Sequence, residues 1–97
     1  MNDEITTTVG GELFSFDGRV LEVFGGSGAR FHVRHMHIRV KGPDRKGNRT
    51  MEICHGRPEV PGNRHIWRYS AKEWDELPDL ARFLETVQAA IDSAAAR

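Results

Sequence analysis

The sequence has a single cysteine, Cys54, and no long hydrophobic run. One cysteine excludes a disulfide within the chain and is typical of a small, semi-buried thiol in a reducing compartment. Charged residues interrupt the apolar runs, such as residues 19–24, within a few positions, whereas a membrane-spanning helix needs roughly 20 apolar residues. The acidic N-terminus is not followed by the apolar stretch of a secretory signal. We therefore expect a cytoplasmic protein with no integral membrane association.

Net charge is also absent, because 14 lysines and arginines balance 14 aspartates and glutamates. The balance hides an asymmetry along the chain. Between Arg30 and Arg68, ten basic residues face three acidic ones, and the two ends of the chain carry the compensating negative charge. Such an asymmetry bears on partners more than on the fold. We expect a positive surface in the middle part of the chain.

The length of 97 residues and the hydrophobic content of 38% are those of one globular domain spanning residues 1–97, with no room for a second. Residues 1–9 are polar and threonine-rich, and we expect a flexible lead-in that can contribute a frayed first strand. Residues 10–69 carry the strand patterns and residues 70–95 the helical ones.

A hairpin is the clearest local pattern. Two β-prone runs, residues 12–16 and 19–24, are joined by Asp17-Gly18. This dipeptide is the one that a two-residue type I′ turn prefers. We therefore predict a two-residue hairpin here.

The next apolar alternation changes phase. Phe31 and Val33 share one parity, whereas Met36 and Ile38 share the other. A period of two can change phase only through a bulge, a tight turn or a strand break. We place the change near Arg34-His35, which predicts two strands rather than one.

The remaining strand patterns are shorter. Residues 42–49 are typical of an exposed basic loop, and residues 50–55 alternate as a strand. Residues 56–63 contain two prolines and two glycines and are predicted to be a loop. Residues 65–69 then form a last short strand, for a total of about six.

A helix closes the chain. Ser70 and Glu73 have the spacing of a capping box, and Pro78 suits a first helical turn, so a short helix should give way to a main one at Pro78. Apolar residues then recur at helical spacing and should dock on the sheet; they are Leu80, Phe83, Leu84, Val87 and Ile91.

This order of strands and helix resembles the pleckstrin-homology-like (PH-like) domains of bacterial proteins. The hairpin 13–24, the segment 30–38 and the helix 78–91 carry the resemblance. It implies an α+β fold, in which a bent antiparallel β-sheet or partly open barrel of about six to seven strands is closed by one C-terminal amphipathic helix. It also implies a non-catalytic interaction or scaffold module.

The chain departs from that family in two places. Phosphoinositide-binding members have a basic loop between their first two strands, whereas this connection is Asp17-Gly18 followed by Arg19 alone. The lipid site is therefore not carried over. Members often have a tryptophan within the closing helix, whereas Trp74 precedes Pro78 here.

The basic middle of the chain suggests a site for phosphate, another polyanion or nucleic acid. Trp67 and Tyr69 lie beside Arg64 and Arg68 and could stack on bases. The candidate binding residues are Arg30, Arg34, Arg39, Lys41, Arg45, Lys46, Arg49, Trp67 and Tyr69.

The histidines suggest a metal site as a second candidate, because imidazole is a usual zinc ligand. On a strand, His35 and His37 would project from one face and His32 from the other, unless a bulge intervenes. No zinc-site spacing motif accompanies them. We predict solvent-facing strand histidines without a metal, and His35 and His37 are the candidate ligands if a metal binds.

Motifs of catalysis are missing as well, since the chain has no phosphate-binding loop and no nucleophile elbow. The sequence favours a non-enzymatic module without a cofactor, whose partner is a protein or a second copy, because an unclosed sheet leaves edges that pair. The alternative is an anionic-ligand binder through Arg30 to Arg49. A small metal-dependent enzyme is the third hypothesis.

Overall fold

A computed structural model describes residues 4–25 and 28–95. Its elements are β1 (Ile5–Val9), β2 (Glu12–Phe16), β3 (Val20–Phe24), β4 (Ala29–His32), a 3₁₀ turn (Val33–His35), β5 (Met36–Lys41), β6 (Arg49–Arg57), β7 (Val60–Tyr69), α1 (Ala71–Asp75) and α2 (Pro78–Ala95). The strands form two antiparallel sheets, one in the order β1-β2-β3-β4 and one in the order β5-β6-β7. The α+β class and the C-terminal helix are confirmed, and the described strands do not close into a barrel.

The N-terminal lead-in supplies the first strand. β1 pairs with β2 over its whole length, from Ile5 opposite Phe16 to Val9 opposite Glu12. Its inward side chains alternate as a strand requires, and Val9 is buried in the core. The described residues therefore contain seven strands, which is within the expected range of about six to seven. The first three residues of the predicted flexible segment lie outside the described part of the chain.

The β2–β3 hairpin is confirmed, but its turn differs from the prediction. The connection Asp17–Arg19 has three residues, and a type I′ turn is excluded because Gly18 has a positive φ and Asp17 does not. Asp17 Oδ1 instead accepts the N–H groups of Arg19 and Val20, at 2.9 and 2.8 Å. A side-chain acceptor of this kind stabilises a longer turn.

The predicted phase change is the 3₁₀ turn Val33–His35. It ends β4, which belongs to the four-stranded sheet, and begins β5, which belongs to the three-stranded sheet. The N–H of Val33 donates to the carbonyl of Arg19 at 2.9 Å, so the turn is fastened to the β2–β3 connection. The chain thus passes from one sheet to the other at the point where the alternation changes.

The predicted loop 56–63 is wrong. β6 continues to Arg57 and β7 begins at Val60, which leaves only Pro58-Glu59 between them. A register shift between Cys54 and Gly56 accommodates the irregular sequence, and Gly56 takes a positive φ of 82° there. Prolines are tolerated in edge strands and glycines at bulges, so the composition misled the prediction.

The C-terminal helices follow the sequence pattern. Ser70 Oγ accepts the N–H of Glu73 at 3.1 Å, and Glu73 Oε1 accepts the N–H of Ser70 at 2.8 Å, which completes the capping box. The five apolar positions predicted to dock are all buried on the inner face of α2.

The core lies between the two sheets and α2. Its largest fully buried side chains come from both sheets and the helix; they are Phe14, Phe16, Leu21, Phe31, Met36, Met51, Ile53, Leu80 and Val87. Neither described helix combines the length and the apolar character that crossing a bilayer requires.

Candidate functional site

The candidate basic residues do not form one surface. Arg30 lies on β4 and Arg34 in the 3₁₀ turn, at the border of the four-stranded sheet, and both are exposed. Arg45 and Lys46 lie in the exposed loop after β5. Arg49 is half-buried, with its guanidinium carbon 5.5 Å from the ring centroid of Trp74. Only Arg39 and Lys41 share the outer face of the three-stranded sheet.

The two candidate aromatic residues turn inward. Trp67 is half-buried with its ring 5.4 Å from that of Phe14, and Tyr69 is buried. Because successive side chains on a strand point to opposite faces, Arg64 and Arg68 project from the other side of β7. The predicted combination of stacking rings and neighbouring arginines on one surface is therefore not present.

The alternation of β7 adds cations to the outer face that sequence reasoning did not place there. Lys41 on β5 and Arg68 on β7 both pair with Thr50 of β6, so they lie on the same face of the sheet. Arg39 and Ile66 are likewise both paired with Glu52. We call the outward side chains Arg39, Lys41, Arg64 and Arg68 the basic face; all four are exposed. The even spacing of Arg64 and Arg68 along β7 was the sequence signal that could have placed these two on one face.

Glu52 lies under the basic face and is only 4% exposed. Lys41 Nζ is 3.1 Å from its Oε2, and Arg64 Nη1 is 3.8 Å from its Oε1. The hydrogen bond from Lys41 lowers the pKa of Glu52, so the carboxylate stays ionised. Oε1 is buried and accepts no hydrogen bond from any described residue. Glu52 therefore holds two cations in place while neutralising part of their charge.

His37 and Cys54 lie opposite each other on β5 and β6, and both are buried. His37 Nδ1 donates to the carbonyl of Gly56 at 2.8 Å, beside the β6 bulge. The prediction that His37 faces solvent is wrong, because this bulge offers its ring an acceptor. Burial, together with the charge of Glu52, raises the pKa of the Cys54 thiol, which is opposite to the environment of a reactive thiolate.

Two further histidines, His32 and His35, lie at the 3₁₀ turn, whereas His55 and His65 lie on β6 and β7. His32 and His35 are exposed, and their ring centroids are 6.0 Å apart. Residues three apart lie above one another in a 3₁₀ turn, so His35 accompanies His32 rather than His37. The expected face shared by His35 and His37 depended on an unbroken strand, and the turn breaks the strand here. In the described part of the chain, no group of three histidine, cysteine, aspartate or glutamate side chains is placed to hold a metal ion.

Both outer edges of the three-stranded sheet lack a strand partner among residues 4–25 and 28–95, because β5 and β7 each pair with β6 alone. The six-residue strand β5 forms one of these edges. Next to it lies a groove of about 420 Å³, which we call the β5 groove. It is lined by Met36 and Ile38 of β5, by Ile91 and Asp92 of α2, and by the hairpin tip 57–59. The lining mixes apolar and charged side chains, and Glu59 and Asp92 give it two carboxylates. The edge of β5 offers main-chain hydrogen-bonding groups beside this groove.

Comparison with known proteins identifies no relative of this chain. No protein-family model matches the chain, and no curated protein or solved structure is significantly similar to it.

Proposed function

We propose that this chain is a non-catalytic protein-binding module, and that it binds an extended acidic segment of its partner as an added strand on β5. One observation carries the proposal. The free backbone edge of β5 borders a groove, while the side chains of β5 alternate between basic on the outer face and apolar on the inner one.

Strand addition uses groups that β5 already presents. An edge strand displays a row of N–H and C=O groups that can pair with an incoming chain. The six residues of β5 are long enough to bind a short extended segment. Main-chain hydrogen bonds would supply affinity, and the alternating side chains would supply specificity.

Charge defines the partner segment. Its outward residues would lie beside Arg39 and Lys41, which favours aspartate or glutamate at every second position. The intervening residues would lie beside Ile38 and Val40, and Val40 is 43% exposed in the free protein. The proposal therefore specifies a segment in which acidic and apolar residues alternate.

The resemblance to PH-like domains supports the same function. Seven strands followed by a closing C-terminal helix match the strand number and the element order that the resemblance implies. Interaction modules are common in that family, and this support is an analogy of fold.

A polypeptide partner is favoured over single-stranded nucleic acid. Sites for single strands combine cations with aromatic rings on which bases stack. Trp67 and Tyr69 instead pack toward the core, on the side of β7 opposite to the basic face. An exposed aliphatic side chain, Ile66, lies between the cations.

The test is fluorescence anisotropy with a labelled peptide of alternating glutamate and valine. We expect it to bind more tightly than a peptide of the same composition arranged in two blocks. N-methylation of its amides should abolish binding, because methylated amides cannot donate to β5. Arg39→Gln should weaken binding about fivefold, the effect of losing about 1 kcal/mol.

Arg45→Gln is the matched control, since it removes the same charge from the loop after β5. It should leave the affinity unchanged. Equal binding of the block or N-methylated peptide, or tighter binding of an oligothymidine, would overturn the proposal.

A further inference from the structure

A second groove lies at the opposite border of α2, where the β2–β3 connection, the 3₁₀ turn and the end of the helix meet. It has a volume of about 720 Å³ and is lined by residues 18–19, 32–35, Ala90, Ser93 and Ala94. We call it the turn groove. Its size falls in the range of roughly 300–1,000 Å³ that is typical of small-molecule sites. It shares no lining residue with the β5 groove.

The charge of the turn groove is of one sign. Arg19 and Arg34 line it together with the imidazoles of His32 and His35, and no lining residue is acidic. Within the described ranges, every carboxylate oxygen within 4.0 Å of an arginine or lysine nitrogen belongs to Glu52. Neither Arg19 nor Arg34 therefore has an ion-pair partner within 4.0 Å among the described residues.

Hydrogen bonds fix the main-chain positions of the two arginines relative to each other. The N–H of Val33 donates to the carbonyl of Arg19 at 2.9 Å, which ties the 3₁₀ turn to the β2–β3 connection. Asp17 Oδ1 accepts the N–H groups of Arg19 and Val20. These two hydrogen bonds lower the pKa of Asp17, so its carboxylate is ionised and bound to the backbone of the turn.

His32 presents a donor to its surroundings. Its Nδ1 accepts the N–H of Arg34 at 3.1 Å, so the ring proton lies on Nε2. Nε2 is the ring nitrogen away from the hydrogen-bonded turn, and His32 is exposed. The groove thus offers two guanidinium groups and an imidazole N–H, all of which donate hydrogen bonds.

We propose that the turn groove binds the phosphate group of a small phosphate ester. A phosphate has three terminal oxygens and can accept from Arg19, Arg34 and His32 at the same time, whereas a carboxylate has two oxygens. Val33, Ala90 and Ala94 provide an apolar floor for the organic group that the phosphate carries. This site is separate from the β5 edge and does not depend on the proposed function.

The experiment is a titration of the ¹⁵N-labelled full chain with inorganic pyrophosphate, followed by two-dimensional NMR. We expect shift changes at the amides of residues 17–19, 32–35 and 90–94. Arg34→Gln should raise the Kd about tenfold, as the loss of a charge-assisted hydrogen bond does. Arg19→Gln is the second variant, since both arginines are exposed and their replacement leaves the core intact.

Arg45→Gln again serves as the control for charge and should change the Kd less than twofold. A mononucleotide and a sugar phosphate form the other arms of the titration, and tighter binding of either identifies the organic group that the floor accepts. Citrate binding as tightly as pyrophosphate, shifts confined to β5 and β7, or no shifts at 10 mM pyrophosphate would each overturn the proposal. Arg34→Gln should not alter peptide binding at β5, so the two proposals can fail separately.

Discussion

Tyr69 ends β7 with its ring 5.8 Å from that of Trp74 and its hydroxyl buried. No described residue forms a hydrogen bond with that hydroxyl. Burial raises the pKa of Tyr69 to about 12, and the charges of Glu12 and Glu73 act in the same direction. The side chain therefore contributes its ring to the core, while its oxygen contributes nothing favourable.

We predict that Tyr69→Phe leaves stability at pH 7 unchanged or raises it by up to about 1 kcal/mol, because it removes a buried, unpartnered polar group. Since the pKa is raised in the folded state, the hydroxyl costs stability as the pH rises from 10 toward 12. The variant should lose less stability in that window than the parent. Urea unfolding at pH 7 and above pH 10 measures both effects. A loss above about 1 kcal/mol at pH 7 would show that the hydroxyl has a partner.

Glu52 shows how neighbours override a residue's position on a strand. Alternation places it on the outer face of the three-stranded sheet, where a carboxylate would normally be solvated. The side chains of Lys41 and Arg64 approach it from β5 and β7, and it is buried. Its charge keeps those cations ordered, which suits a surface that binds an acidic segment.

Among the elements, α1 is the shortest helix and depends most on its cap. It has five residues, which is well below the length at which a helix is stable by itself. The capping box satisfies two backbone N–H groups at its start. The cap also fixes the place where the chain leaves β7 and turns toward α2.

We predict that Ser70→Ala lowers the free energy of unfolding by about 1 kcal/mol, the usual effect of removing an N-cap. Ser93→Ala is the matched control, because Ser93 lies exposed near the end of α2 and caps nothing. Alanine favours the helix, so the control should be neutral or slightly stabilising. Urea unfolding followed by circular dichroism compares the two. Equal losses would mean that the cap contributes no stability.

At the scale of the whole molecule, side chains from both sheets meet between them. Phe31 of β4 stacks on His55 of β6 with ring centroids 4.3 Å apart. Trp67 Nε1 donates to Glu12 Oε1 at 2.9 Å, which links β7 to β2. These contacts and the inner face of α2 join two sheets between which the described residues form no strand pairing.

Charge also acts on the whole molecule. Among the described residues, four carboxyl groups have lowered pKa values because their ionised forms accept hydrogen bonds from the folded chain; they are Asp17, Asp44, Glu52 and Glu73. Their stabilising effect is present above their unfolded pKa values, 3.8 for aspartate and 4.5 for glutamate, and is lost as the pH falls through the lower folded values. We expect the urea concentration at the unfolding midpoint to decrease as the pH is lowered below 4.5.

The variant Asp44→Asn tests this loss of stability at low pH. Asp44 Oδ1 accepts the N–H groups of Lys46 and Asn48, at 2.9 and 2.8 Å, and an amide oxygen can do the same without titrating. The variant should therefore lose stability less steeply between pH 4.5 and 3 than the parent. A parent midpoint that stays constant over this range would contradict the assignment.

What the sequence determined by itself is the local structure. The capping box, the helix beginning at Pro78, the β2–β3 hairpin and the break near His35 depend on spacings within a few residues, and the structure confirms each of them. Local composition failed at residues 56–63, because an edge strand with a bulge tolerates prolines and glycines.

Only the tertiary structure decided which side chains meet. The basic face combines residues from β5 and β7 across β6, and the turn groove brings Arg19 beside Arg34. Likewise, the buried ring of His37 finds its hydrogen-bond acceptor in the carbonyl of Gly56, 19 residues away. Such contacts depend on strand register and on the packing of two sheets, and no spacing along one segment encodes them.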